Sequence, residues 1–163
     1  MTAKSEQLQI RVTPRQKAAL KRLAAAAGQD VSAYVLSRAL PEKRLEFASL
    51  LRSLEDEAER RYALAELSDF LTGLAPFEMS DALTAPRIER LTPFVQNYVS
   101  AMVEQAATDK GVTPPAWAAA VEPLAEPYFA TELGNLRLHL LRASPAAFKR
   151  RNLFIDSALG ARV

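Results

Sequence analysis

Residues 7–12 have the sequence QLQIRV, and residues 13–40 follow directly as TPRQKAALKRLAAAAGQDVSAYVLSRAL. In the first stretch apolar residues at even positions alternate with glutamine and arginine at odd positions, the period-two pattern of a strand with one buried face. A single strand leaves its backbone donors and acceptors unpaired, and even a two-stranded hairpin is marginal in water. We therefore predict that the partner strand comes from a second copy of the same chain.

Two helices are predicted after this strand. Thr13 and the proline that follows it form a helix start, because threonine accepts from free backbone donors and proline suits the first helical position. Gly28 ends the first helix, and Asp30 or Ser32 caps a second one that stops before Pro41. About 40 residues cannot close a core alone, whereas paired strands from two copies would stack their apolar faces on four helices. The residues assigned to this packing are Val12, Leu20, Leu23, Val31, Val35 and Leu36.

The rest of the chain has helical periodicity interrupted by prolines. We predict one or two helices up to Gly73, another over residues 94–107, and a proline-interrupted stretch of turns and short helices around Trp117. Helical spacing returns at Asn135, and further caps are predicted at Ser144 and Asp156. The predicted fold is mainly α, with residues 1–41 as a strand-helix-helix dimerisation domain and residues 42–163 as an all-helical C-terminal domain.

Composition limits the class of protein. The 163 residues contain no cysteine, which excludes disulfides and thiolate chemistry and suits a reducing cytoplasm. No apolar run approaches the roughly 18 residues of a membrane span, and the first residues are too polar for a signal peptide. Residues 1–44 hold nine Lys/Arg against three acids, so the remainder is net acidic. We therefore expect a soluble cytoplasmic protein that binds a polyanion through its basic N-terminal end.

Residues 1–40, and most clearly the run at residues 10–40, resemble the ribbon-helix-helix family of DNA-binding proteins, of the Arc and MetJ type, and especially its antitoxin branch. The resemblance depends on the alternating strand, the Thr-Pro start, the glycine turn and the Val-Ser helix start. It implies an intertwined homodimer whose two-stranded ribbon enters the major groove of a double-stranded DNA operator. Whether dimers pair further into tetramers on adjacent half-sites is left open.

The resemblance also assigns roles to individual residues. Outward strand residues would contact base edges, and glutamine and arginine suit this task because they pair bidentately with adenine and guanine. The N-terminus of the second helix would bind a phosphate through its free N–H groups, with basic side chains adding further phosphate contacts. The predicted base contacts are Gln7, Gln9 and Arg11; the predicted phosphate contacts are Lys4, Arg15, Lys17, Val31 and Ser32.

A second conspicuous stretch is SPAAFKRRNLFID at residues 144–156, where a basic triplet is flanked by apolar side chains. We favour a capped amphipathic helix that docks by its aromatic residues and keeps its basic side in solvent. The alternative is a binding surface for a protein partner or for flanking DNA. Its candidate residues are Phe148, Lys149, Arg150, Arg151 and Phe154.

No pattern of enzyme chemistry is present in the sequence. His139 is the only histidine, and no carboxylates stand at metal-ligand spacing around it. Walker, Rossmann, nucleophile-elbow and zinc-binding motifs are missing. We therefore predict no catalytic residue, no metal site, no cofactor and no enzymatic activity.

The predicted function is a sequence-specific DNA-binding repressor. The resemblance implies the antitoxin of a bacterial toxin-antitoxin operon, which would repress its own promoter and neutralise a partner toxin through residues 42–163. Antitoxins of this branch usually have a short, disorder-prone tail, whereas this C-terminal part has the pattern of a folded domain. Two alternatives remain open: a ligand-responsive regulator, and an interaction protein that uses the ribbon only to dimerise.

Overall fold

The computed structural model describes residues 9–84 and 86–156. The chain divides into two compact units, Met1–Leu40 and Pro41–Val163, each described here by itself. Across the described residues the fold is mainly helical, as the periodicity predicted. Within these residues no helix is both long and apolar enough to cross a membrane.

The first unit is a pair of helices, α1 (Pro14–Ala26) and α2 (Val31–Ala39). Gly28 lies between them with a φ of 66°, a left-handed conformation that glycine adopts without steric cost, so the predicted turn is confirmed. Asp30 is the residue that caps α2. Residues 9–12 form no strand in the single chain, and the predicted ribbon stays a prediction.

The second unit contains seven further helices among its described residues. The long ones are α3 (Glu42–Ser53), α4 (Arg60–Gly73), α6 (Pro93–Asp109) and α8 (Gly134–Ala143). The short ones are α5 (Met79–Ala82), α7 (Ala116–Ala120) and α9 (Ala146–Lys149). The predicted helix end at Gly73 is confirmed, and α6 extends the helix predicted over residues 94–107 by one residue at its start and two at its end. The acid-rich residues 54–59 divide the first predicted helical region into two.

The core of the second unit surrounds α6, whose buried face includes Val95, Val99 and Val103. Phe47 of α3 stacks on Phe70 of α4 with ring centroids 5.9 Å apart. Trp117 packs 6.3 Å from Phe47, and its indole Nε1 donates to the Leu83 carbonyl at 2.7 Å. The proline-rich stretch is thereby fixed to the core through its tryptophan, as expected for an aromatic residue with one polar atom.

Two short parallel strands correct the prediction of an all-helical second domain. β1 (Tyr128–Phe129) pairs with β2 (Leu153–Phe154), with Tyr128 opposite Leu153 and Phe129 opposite Phe154. The Phe129 and Phe154 rings stack with centroids 4.8 Å apart. Strands of two residues carry too little alternation to be recognised in a sequence, so the pairing is visible only in the structure.

Ser144 corrects a second detail. It was predicted to cap the helix after it, but its side chain makes no cap there, and α9 ends at Lys149. Its buried hydroxyl lies 2.6 Å from the Leu140 carbonyl and 2.7 Å from the Ile155 carbonyl. Because a hydroxyl has one proton, it can donate to either oxygen in turn and so joins the end of α8 to β2. Asp156, predicted to cap a final turn, is the last residue before those outside the described ranges.

Candidate nucleic-acid interface

The start of α1 fixes the direction of the chain immediately after residues 9–12. The Thr13 side chain accepts from the Gln16 N–H at 3.3 Å, and the Gln16 amide oxygen accepts from the Thr13 N–H at 2.9 Å. This reciprocal capping box satisfies two donors that a helix N-terminus otherwise leaves unpaired. Arg11 therefore lies two residues before a well-defined helix start.

The predicted DNA-contacting residues that fall in the described part of the chain are exposed. Gln9 and Arg11 precede α1, and Arg15 and Lys17 lie on its first turns. Gln7 and Lys4 lie outside the described residues. The exposed side chains offer bidentate amide and guanidinium groups beside further cations, but the single chain does not bring them into one ordered ribbon.

The apolar side chains of the first unit have no core to enter. Ala24 is the only buried residue among positions 9–40. Six larger apolar side chains are between 37% and 61% exposed: Ile10, Val12, Leu23, Val31, Leu36 and Leu40. Large apolar side chains that are exposed as one patch mark an interaction site, so these six residues are candidates for such a site. We refer to these six residues as the apolar face of the first unit.

The N-terminus of α2 is the predicted phosphate site, and the structure adds an acidic group to it. The Asp30 carboxylate accepts from the Ala33 N–H at 2.9 Å. Val31 and Ser32 are exposed, and their N–H groups have no acceptor within the described part of the chain. Two donors thus remain for an anion, although the Asp30 charge at the same helix end opposes its approach.

The basic-aromatic segment at residues 144–156 contributes mainly to the core, in line with the favoured interpretation that it docks by its aromatic residues. Phe148, Arg151 and Phe154 are buried, with between 3% and 9% of their surface exposed. Lys149 is half-buried and Arg150 is exposed. The Phe148 ring packs edge-on against Tyr98 at 5.4 Å. Of the five candidate residues, Lys149 and Arg150 are therefore the two that present side chains to solvent.

Arg151 is the structural residue that the sequence did not distinguish from its two basic neighbours. Its Nη2 donates to the Glu104 carboxylate at 2.6 Å and also to the Ala118 carbonyl. Its Nη1 donates to the Val121 carbonyl at 3.1 Å and to the Asn97 side chain at 3.3 Å. This buried guanidinium joins α6 to the chain around α7. The signal that could have distinguished Arg151 is Glu104. It is the single acid on the buried face of α6, and a buried carboxylate needs a cation beside it.

One aromatic group in this core has a strongly displaced ionisation. Burial, with a smaller effect from neighbouring Tyr128, raises the pKa of Tyr98 from 10.0 to about 12. The Tyr98 hydroxyl is buried and has no hydrogen-bond partner within the described residues. Those residues also contain no group of three acidic, histidine or cysteine side chains that could hold a metal ion.

Comparison with known proteins gives one match. Residues 2–61 match the model of the NikA-like family, described as mobilization protein NikA. The matched region includes nearly all of the first unit and continues through α3 to the start of α4. No curated protein matches the chain, and no solved structure matches it.

Proposed function

We propose that the chain is a DNA-binding protein that acts in DNA mobilization, with its N-terminal unit as a ribbon-helix-helix dimer. The observation that carries the proposal is the match to a mobilization-protein family over residues 2–61. Residues 1–40 contain seven Lys/Arg and two acids, a charge that suits the phosphate backbone. The protein would thereby hold double-stranded DNA at a defined sequence.

The apolar face of the first unit supports the dimer. Transfer of apolar surface out of water lowers the free energy by about 25 cal/mol per Å2. Six exposed large apolar side chains on a 40-residue unit therefore favour association with a surface that covers them. A second copy would supply a matching face and, in the same step, a partner for the strand that the sequence predicts over residues 7–12. Ile10 and Val12 would then be covered, while Gln9 and Arg11 would stand on the opposite face of the ribbon.

A transcriptional role is the second candidate, since the same ribbon would serve an autorepressor. The resemblance to antitoxins supports it, and repression of the protein's own promoter is its concrete form. The family match favours mobilization over a toxin-antitoxin operon. The core formed by residues 41–156 also differs from the short tail usual in antitoxins. A toxin partner and a small-molecule ligand remain predictions.

The test is a fluorescence-anisotropy titration of labelled duplexes with the full chain. Three duplexes are compared: the transfer-origin region of the element that encodes the protein, the promoter of its own gene, and a scrambled control. Arg11→Ala is compared with Arg90→Ala, which removes the same charge from an exposed site in the second unit. We expect Arg11→Ala to weaken specific binding by at least about 5- to 150-fold, which is the loss of about 1–3 kcal/mol for one base contact, because a dimer loses the contact on both strands.

The outcomes separate the candidates. Preference for the transfer-origin duplex supports the mobilization role, and preference for the promoter supports the repressor. Equal binding to all three duplexes, with Arg11→Ala matching Arg90→Ala, would show that the ribbon is only a dimerisation device. Sedimentation velocity on both variants checks that the dimer itself is unchanged.

A further inference from the structure

Helix α8 presents an apolar and basic surface that its own chain does not cover. Leu138 and Leu141 are 70% and 44% exposed, whereas Leu140 is buried. Successive residues of an α-helix lie about 100° apart, so Arg137, Leu141, Leu138 and Arg142 follow one another across about 140° of the surface. We call these four residues the α8 stripe: two leucines with an arginine on each side.

The surroundings of the α8 stripe are basic. Residues 134–155 contain five Lys/Arg and no acid, although Arg150 and Arg151 pair with Glu104. The acid nearest in sequence on the C-terminal side, Asp156, lies 3.7 Å from His139, which is not part of the stripe. The Arg137 guanidinium lies 5.3 Å from the centre of the Phe129 ring, which holds it at one edge of the stripe. At the other edge, Lys149 Nζ donates to the Arg142 carbonyl at 3.1 Å and adds a second cation. A partner for this surface must be both acidic and apolar.

A surface of that chemistry exists between α3 and α4 of the same unit. A groove of about 570 Å3 there is lined by carboxylates from both helices, Glu46, Glu66 and Asp69, and by the apolar side chains of Leu50 and Phe70. Residues 41–133 contain sixteen acids and eight Lys/Arg, so the groove lies in an acidic part of the chain. We call it the acidic groove.

One cation also lines the acidic groove. Lys43 pairs with Glu46 at 2.9 Å and lies 5.6 Å from the centre of the Phe70 ring. Glu66 and Asp69 are exposed and form no ion pair within the described residues. These two α4 carboxylates are therefore the groups available to a basic partner.

We propose that the α8 stripe of one copy docks in the acidic groove of a second copy. Charge complementarity favours this partner over others. The arginines at both edges of the stripe would lie against the unpaired carboxylates of Glu66 and Asp69, and the two leucines would contact the apolar side chains of the groove. DNA phosphates would satisfy the arginines but leave both leucines in water. Because Leu138 and Leu141 are exposed in their own chain, the groove that receives them belongs to another copy.

The contact joins two different surfaces, so it is heterologous and can propagate from copy to copy. A ten-residue helix is about 15 Å long and buries less than a standard interface of about 1,600 Å2. We therefore expect weak association that becomes effective when copies are held close together. The inference does not depend on DNA binding by the first unit, but its readout, species larger than a dimer, rests on the dimer proposed for that unit.

The experiment is sedimentation velocity of the full chain over a wide concentration range, at low and moderate salt. The variants are Arg142→Glu, Glu66→Arg and the double variant. We expect wild type to form species larger than a dimer. Each single variant should need an about tenfold higher concentration to form them, which corresponds to the loss of one contact of ~1.4 kcal/mol. The double variant should associate as wild type does. An equimolar mixture of Arg142→Glu and Glu66→Arg should associate about as well as wild type, with the two variants alternating, because both contacts between unlike copies pair opposite charges.

Several results would overturn the inference. Wild type that stays a dimer at every concentration contradicts it, as does a double variant that is no better than the single ones. Anisotropy and vesicle flotation test the other occupants: if Arg142→Glu lowers binding to DNA or anionic lipid while self-association is unchanged, the stripe serves that polyanion. Trp117 fluorescence checks that the variants are folded, and Arg90→Glu controls for net charge.

Discussion

Replacement of Arg151 by methionine should destabilise the second unit far more than loss of the neighbouring Arg150. Arg151 is 3% exposed and donates to Glu104 at 2.6 Å, while supplying donors to backbone carbonyls around α7. Breaking a buried ion pair by removing one partner costs about 3–5 kcal/mol. Because Arg150 still reaches Glu104 at 3.4 Å, we expect the lower end of that range, about 3 kcal/mol.

Urea unfolding followed by Trp117 fluorescence measures this change, because Trp117 is the only tryptophan and lies in the same unit. A loss of about 3 kcal/mol lowers the midpoint by about 1–2 M for a typical m-value. The control is Arg150→Ala, whose side chain is 68% exposed and whose loss should cost less than about 1 kcal/mol. The double variant Arg151→Met with Glu104→Leu should recover most of the stability, since no unpaired charge stays buried.

Two results would refute this reasoning. If Arg151→Met and Arg150→Ala shift the midpoint equally, the buried position of Arg151 does not determine its contribution. If the double variant is as unstable as Arg151→Met alone, the loss comes from the orphaned carbonyls near α7 and not from the charge on Glu104.

Three further predictions concern other groups. Asp30→Asn keeps the cap of α2 but removes the negative charge beside the predicted phosphate site. DNA affinity measured by anisotropy should therefore rise about two- to fivefold (~0.3–1 kcal/mol). Unchanged affinity would exclude a phosphate at this helix end. Because the pKa of Tyr98 is about 12 in the folded chain against 10.0 ordinarily, stability should fall as pH rises through that interval. Tyr98→Phe should abolish this fall and leave neutral-pH stability equal or up to about 1 kcal/mol higher, as measured by thermal unfolding. Thr13→Ala should destabilise α1 by about 1 kcal/mol in far-ultraviolet circular dichroism, whereas Thr13→Ser should not.

Local signals were sufficient to predict the helices of the first unit. Thr13 with its proline, Gly28 and Asp30 each act through contacts within four residues, so their effects can be derived from the sequence directly. The same holds for the ends of α4 and α6. The expected burial of Leu23 and Leu36 is not seen, since they are 50% and 39% exposed in the single chain. The proposed dimer is what would cover them.

Long-range contacts explain what the sequence did not predict. β1 and β2 pair residues 25 positions apart, and neither strand has enough alternation to be recognised alone. The pattern of residues 144–156 predicts a solvent-exposed basic side for the whole triplet at 149–151, yet Arg151 is buried because Glu104, 47 residues away, faces it. A sequence identifies three cations in a row but not which one meets a buried carboxylate.

The parallel pairing of β1 and β2 has a consequence for how the second unit can change over evolution. Tyr128 N–H and Ala130 N–H donate to carbonyls of residues 152 and 154, at 2.8 and 3.0 Å, and Ser144 reaches the Ile155 carbonyl. Residues 131–143 therefore connect two points that hydrogen bonds hold in place, the end of β1 and the contact between Ser144 and Ile155. The exposed face of this segment can therefore diversify during evolution, and with it the choice of partner, as long as position 140 keeps a buried apolar side chain.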